Sequence, residues 1–204
     1  MASQTGVHHS EIISEWDRIR DNSSDHGDYI HKQMEDGWKL GKTPDRQWQI
    51  TFEEIQTLVS PYKRVFPEKK LFIDKYRLAG MADLPTERYR GKDMQIIDLF
   101  DYKTNMSKGI TLYKSYINKY GKWVHKMDFM LDPISHLEAS LFNKYSLQLS
   151  MYAYMIEHNY SAKIGRMGIL FIDLNKKVNI MPIPYMRMEA ELLLSTYASL
   201  KKIA

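Results

Sequence analysis

A chain of 204 residues, 44% hydrophobic and 26% charged, has the length and composition of one globular domain with a core of its own. It contains no cysteine, which excludes disulfides, thiol catalysis and cysteine-held zinc or iron–sulfur centres; with no apolar run of membrane-spanning length and no signal-peptide core, it reads as soluble and cytoplasmic with no membrane partner. The balance of 29 basic against 25 acidic residues, a net +4, is compatible with a polyanionic partner without requiring one.

Residues 1–60 read as helical. Ile12, Ile13, Trp16 and Ile19 have the apolar spacing of a helix over Glu11–Ile19. Asn22, Ser23, Ser24 and Asp25 then offer N-caps for a second helix to about Leu40, and a third is expected from Thr51 to Leu58, with Glu54 completing a capping box. From residue 67 the composition shifts. Leu71–Pro85 and Met94–Lys103 are rich in β-branched, aromatic and aliphatic residues, and Arg90-Gly91-Lys92-Asp93 between them reads as a turn. Helix is expected to return from Phe142 to Asn159. Strands follow at Met167–Leu174 and Val178–Ile183, joined by a turn at Asn175-Lys176-Lys177, and a closing helix falls within 186–204. The order implies one mixed α/β domain over 1–204, its sheet and second helical segment spanning 67–184.

Between Asp101 and Asp128 there is no acidic residue, whereas Lys103, Lys108, Lys114, Lys119, Lys122 and Lys126 fall there, interleaved with Tyr102, Tyr113, Tyr116, Tyr120 and Trp123. Lysines attract phosphates, and aromatic faces stack on unpaired bases. A solvated, mobile loop over 104–127 accounts for the same composition.

Asp101 and Lys103 project from one face of a strand. If the preceding turn is centred on Lys92, position 83 lies opposite position 101, and opposed Cβ atoms are about 4.5–5.5 Å apart. Two carboxylates so placed repel unless a cation lies between them, and a hard divalent ion, Mg²⁺ or Mn²⁺, suits that gap. Pro85 argues for an edge strand or a bulge nearby, which leaves the register open by a residue. The competing reading of Asp101 and Lys103 is an ordinary ion pair at a strand end, and Glu68-Lys69-Lys70 after Pro67 is a second acid-x-Lys triplet.

Five elements occur in order: Gly27-Asp28-Tyr29-Ile30-His31, Glu68, Gly80-Met81-Ala82-Asp83, Asp101-Tyr102-Lys103 and Gln148-Leu149-Ser150-Met151-Tyr152. The set resembles the PD-(D/E)XK nuclease superfamily, in particular its RecB-type and lambda-exonuclease-like branches. The resemblance implies a restriction-endonuclease-like core, a central mixed β-sheet flanked by helices. It also implies a metal-dependent deoxyribonuclease, most simply an exonuclease of DNA recombination, repair or phage DNA processing. Asp83, Asp101 and the Tyr102 carbonyl would hold Mg²⁺ or Mn²⁺, with His31 as a further ligand and Glu68 as an accessory. Lys103 would position or deprotonate the attacking water, and Gln148 and Tyr152 would orient Lys103 and contact the DNA backbone. Lys108, Lys114, Lys119, Lys122 and Lys126, with Tyr116 and Trp123, would hold the DNA.

Each element also has an ordinary alternative. His31 suits a half-buried helix position and competes with His26; Gln148 and Tyr152 suit the polar edge of an apolar helix face. Asp132-Pro133-Ile134-Ser135-His136-Leu137 resembles the segment before the Gln helix in phage-encoded relatives, which suggests a phage or prophage origin. The family's iron–sulfur branch is excluded by the absent cysteines, and no Walker motif implies a nucleotide cofactor. A sequence-specific endonuclease on the same fold and a decayed DNA-binding module stay open, as do a recombination partner protein and a homo-oligomer.

Overall fold

The computed structural model describes residues 9–90, 94–104, 110 and 115–201, the side chains of 9–13, 15–24, 90, 115 and 116 excepted. The chain forms two compact units, Met1–Phe52 and Glu53–Ala204.

In the first unit, α1 runs unbroken over His9–Leu40, so the two helices expected there are one. Asn22 to Asp25 lie inside it rather than capping a second start; cap preference is a weak prior that a continuing ladder of backbone hydrogen bonds overrides. Ile30, Met34, Trp48 and Phe52 are buried. Gly37 is a glycine because the Phe52 ring lies where its Cβ would be, 2.6 Å from Cζ. His26 packs its ring against Trp48 at 6.0 Å, which gives it a packing role. Helix α2, Gln49–Val59, begins in this unit and ends in the next.

The second unit is built on a five-stranded mixed sheet ordered β1-β4-β5-β8-β9, comprising Arg64–Val65, Leu84–Arg90, Gln95–Lys103, Ala162–Ile172 and Val178–Pro182. β5 is central; it pairs parallel with β8 and antiparallel with β4. The parallel pair is connected through α3, Leu141–Asn159, which is N-capped by Ser140 and lies on the sheet. Leu149, Ala153 and Ile156 of α3 close a core with Ile97, Leu99, Met167 and Ile169. α4, Arg187–Lys201, packs on α3. The Asn175–Lys177 turn forms as expected: Lys176 is left-handed at φ 62°, and the Asp173 carboxylate accepts from the Asn175 and Lys177 amides.

Two further strand pairs depart from the sequence reading. Leu71–Pro85 is not one strand. It contains β2, Lys69–Ile73, and β3, Leu78–Ala82, which form a hairpin around a 3-10 turn at Asp74–Tyr76, before β4 starts. Within 104–127, read as a basic insertion and a loop, β6 (Ser115–Ile117) and β7 (Trp123–His125) pair as a second hairpin. Gly91, Lys92 and Asp93 of the expected turn lie outside the described residues, as do Lys108 and Lys114 and the side chain of Tyr116. No helix among the described residues is long and apolar enough to cross a membrane.

Candidate metal centre

Strand register assembles the centre. Val65 pairs with Thr86 and Lys69 with Ala82 in one continuous register, so Glu68 is carried opposite Asp83 and its amide donates to the Asp83 carbonyl at 2.8 Å. Leu84 pairs with Phe100, which carries Asp83 opposite Asp101 as the sequence register predicts. Glu68, Asp83 and Asp101 thus form one row across three neighbouring segments, and all three are buried. Glu68 and Asp83 each offer a carboxylate oxygen within 4.8 Å of the other. The Tyr102 amide donates to Asp83 Oδ2 at 2.9 Å. Glu68 adopts a left-handed backbone, φ 51°, strain of about 1 kcal/mol or more that a side chain with a fixed position can justify.

Pro85 sits where its missing N–H is harmless. Its carbonyl accepts from the Phe66 amide at 2.8 Å, so its nitrogen faces the side of β1, a strand that ends one residue earlier at Val65.

Electrostatics follow from burial. Loss of water raises the Asp83 carboxyl to about 6; Lys103 and the Tyr102 amide oppose this, and Glu68 adds to it. Burial also pulls the Lys103 ammonium down, but Asp101, to which it is paired, and Asp83 outweigh that and hold it above the ordinary lysine value. Without a bound ion the Lys103 side chain is thus a cation held against Asp101. With every group ionised, Glu68, Asp83 and Asp101 exceed Lys103 by two negative charges. That excess and the hard oxygen donors fit a divalent cation.

α3 supplies the remaining wall. Gln148 Nε2 donates to the Tyr152 hydroxyl at 3.3 Å, and the Tyr152 ring lies on β3: a Cβ on Gly80 would meet Cε1 at 2.6 Å. The Gly80 and Tyr152 elements, far apart in sequence, are therefore one contact, and only glycine leaves room for it. The ring below the Lys103 ammonium belongs to Tyr145, whose centroid lies 5.0 Å from Nζ, a residue the sequence reading missed. Its position three before Gln148 on the same helix was the available signal.

His31 is half-buried on α1 of the first unit, four residues after Gly27. Lys70 of the second triplet is exposed, and Lys69 lies over the Tyr160 ring at 5.3 Å, so that triplet is no second centre. Lys119, Lys122, Lys126 and Trp123 are exposed on or beside the β6–β7 hairpin.

No family model matches the chain, and no curated protein does. Among solved structures, a protein of Eubacterium rectale provisionally named an exonuclease is similar over 76% of this chain at 12% identity and a TM-score of 0.35. This chain spans about half, 52%, of that protein. A likeness so distant carries no argument about activity, and function is argued from the row of carboxylates.

Proposed function

We propose that this chain is a divalent-metal-dependent deoxyribonuclease acting as an exonuclease. The observation that carries the reading is the buried row Glu68–Asp83–Asp101 with Lys103 paired at its end. Asp83 and Asp101 would hold Mg²⁺ or Mn²⁺, with Glu68 beside them and the Tyr102 carbonyl as a further ligand. The ion, when bound, supplies Lewis-acid polarisation of a phosphoryl oxygen and a bound water of lowered pKa.

The chain's own groups do the rest. Lys103 presents a charged donor to the phosphoryl oxygens on which negative charge grows. Tyr145 and Asp101 fix that ammonium from two sides, so its position is set before substrate arrives. Tyr152, braced by Gln148 and by the bare backbone of Gly80, walls the site on the helix side and offers its hydroxyl to a phosphate. Lys119, Lys122 and Lys126 hold the strand by charge, a contact that weakens steeply with salt.

The test uses an end-labelled linear duplex, a closed circular duplex and a single strand, each with Mn²⁺, Mg²⁺ or EDTA, for the wild type and Lys103→Ala. Metal-dependent loss of linear DNA with the circle spared and the variant inactive is the expected result. Cutting of the circle would overturn the exonuclease assignment, and no cleavage of any substrate would overturn the enzyme.

A further inference from the structure

The β6–β7 hairpin carries an apolar tip that no part of the candidate centre uses. Ile117 and Trp123 are directly paired across the strands and so share a face. They are 56% and 65% exposed, and Tyr120 in the connecting turn is 74% exposed. The turn itself is tightly built. The Asn118 side-chain oxygen accepts from the Tyr120 and Lys122 amides at 2.9 and 3.1 Å, and the Asn118 amide donates to the Lys122 carbonyl at 2.9 Å. Gly121 supplies the left-handed residue, φ 74°, that closes it. At the hairpin's base His125 Nε2 lies 2.7 Å from Glu138 Oε1. Three large apolar groups are thus held out in water by a turn whose backbone bonds are satisfied.

The surrounding charge selects the partner. Lys119 and Lys122 flank the tip, while Lys126 follows the hairpin's base, 3.8 Å from the Asp128 carboxylate; no acidic residue occurs from 102 to 127, and the Lys119 ammonium already lies 5.1 Å from the Tyr120 ring centroid. A partner must offer negative charge and flat apolar faces together. Unpaired nucleobases on a phosphate backbone do so; a paired duplex keeps its base faces stacked inside.

We infer that Ile117, Tyr120 and Trp123 form a stacking platform for unpaired bases of a DNA strand, its phosphates held by Lys119, Lys122 and Lys126. The inference rests on the nuclease reading for the identity of the polymer and adds that the substrate is engaged through an unpaired end or a single strand.

Binding is measured in EDTA, so that cleavage plays no part. The ligands are a blunt duplex, the same duplex with a short unpaired overhang, and that overhang built from abasic sites with equal phosphates. Wild type should bind the base-bearing overhang about tenfold or more tighter than the abasic one, from stacking energies of about 1–3 kcal/mol per base. Trp123→Ala should erase that preference while changing blunt-duplex affinity by less than about twofold, and Trp123→Phe should keep it. Equal binding of base-bearing and abasic overhangs overturns the inference, as does an equal loss on the blunt duplex. A change of oligomeric state in Trp123→Ala, read by sedimentation, would also overturn it, by making the tip a self-association surface. Failure of the nuclease reading is seen separately, as absence of Mn²⁺-dependent cleavage by wild type, and leaves the EDTA comparison intact.

Discussion

Asp98 offers the most demanding test of how the centre is positioned. It lies on β5 with no side-chain exposure, three residues before Asp101 and facing the opposite side of the sheet. Its carboxylate accepts from the Tyr62 hydroxyl at 2.8 Å, from the Arg166 amide and Nε at 2.8 and 3.1 Å, and from the Arg88 guanidinium. Arg88 is the extra residue of a bulge in β4, and Gly165-Arg166 form a bulge in β8, so both departures from regular pairing meet at this one side chain. A Cβ on Gly165 would lie 2.2 Å from Asp98 Oδ1, which fixes glycine at the second bulge. The Arg88 bulge shifts the β4–β5 pairing by one residue, from Tyr89↔Ile96 to Glu87↔Ile97. Without it Asp83 would face Tyr102 instead of Asp101. Removing one partner of a buried ion pair costs about 3–5 kcal/mol. Arg88 and Arg166 are 39% and 69% exposed and can turn to water, so the low end applies to Asp98→Ala, about 3 kcal/mol. For a chain of this size that lowers Tm by about 6–12 °C. Burial raises this carboxyl, but Arg88, the Arg166 amide and Tyr62 together hold it below the ordinary aspartate value. Its contribution is therefore complete above the unfolded value near pH 4 and is lost as pH falls through the lower folded value. Urea denaturation of wild type and Asp98→Ala at neutral and acid pH reads both quantities. A difference within about 0.5 kcal/mol at neutral pH, or additive effects of Arg88→Ala and Asp98→Ala in a double-mutant cycle, would refute the register clamp.

Three further outcomes follow from the centre. The Asp83 carboxyl is raised to about 6, so metal-free stability should fall as pH rises from about 4 to 6; Asp83→Asn should recover up to about 3 kcal/mol at pH 8 and lose the Tm increase that Mn²⁺ gives wild type. A wild-type Tm that is flat across that range, or an Asp83→Asn protein still stabilised by Mn²⁺, would contradict this. Gly80→Ala should displace the Tyr152 ring, lowering cleavage about tenfold or more for about 1–3 kcal/mol of stability in thermal melts; unchanged cleavage rates would separate Gly80 from the site. Tyr145→Leu removes the ring below Lys103 and should lower kcat several-fold with little change in KM, whereas Tyr145→Phe, which keeps the ring face, should stay near wild type in the same steady-state assay.

How much of this could be read beforehand depended on whether a residue acts through local spacing or through pairing at a distance. The mixed sheet with flanking helices, the α3 and α4 helices and the Asn175–Lys177 turn all follow from periodicity and turn chemistry, which are local. Asp83 opposite Asp101 follows from a turn centred on Lys92; the pairing nearest the turn is centred half a residue later, and the Arg88 bulge brings the two carboxylates back into register. Glu68 was legible by the same arithmetic about the Asp74–Tyr76 turn, but Leu71–Pro85 reads as one apolar stretch and hides that turn. Tyr145 shares a helix face with Gln148, three residues on, but that spacing alone does not say that its ring rather than another meets Lys103.

Asp98 lay furthest out of reach, because bulges at Arg88 and at Gly165-Arg166 arise in strands far apart in the chain and converge only on the folded sheet. Their convergence also explains how the fold tolerates its own centre. The row Glu68–Asp83–Asp101 combines a left-handed backbone, a carboxyl raised to about 6 and unbalanced negative charge, all of which oppose folding in the absence of a cation. On the other face of the same central strand, Asp98 is held charged by two arginines and a tyrosine in an arrangement that favours folding without one. One strand thus carries both Asp101, the end of that row, and the clamp that fixes its register, three residues apart, so a change at Asp98 should disturb the candidate centre without touching it.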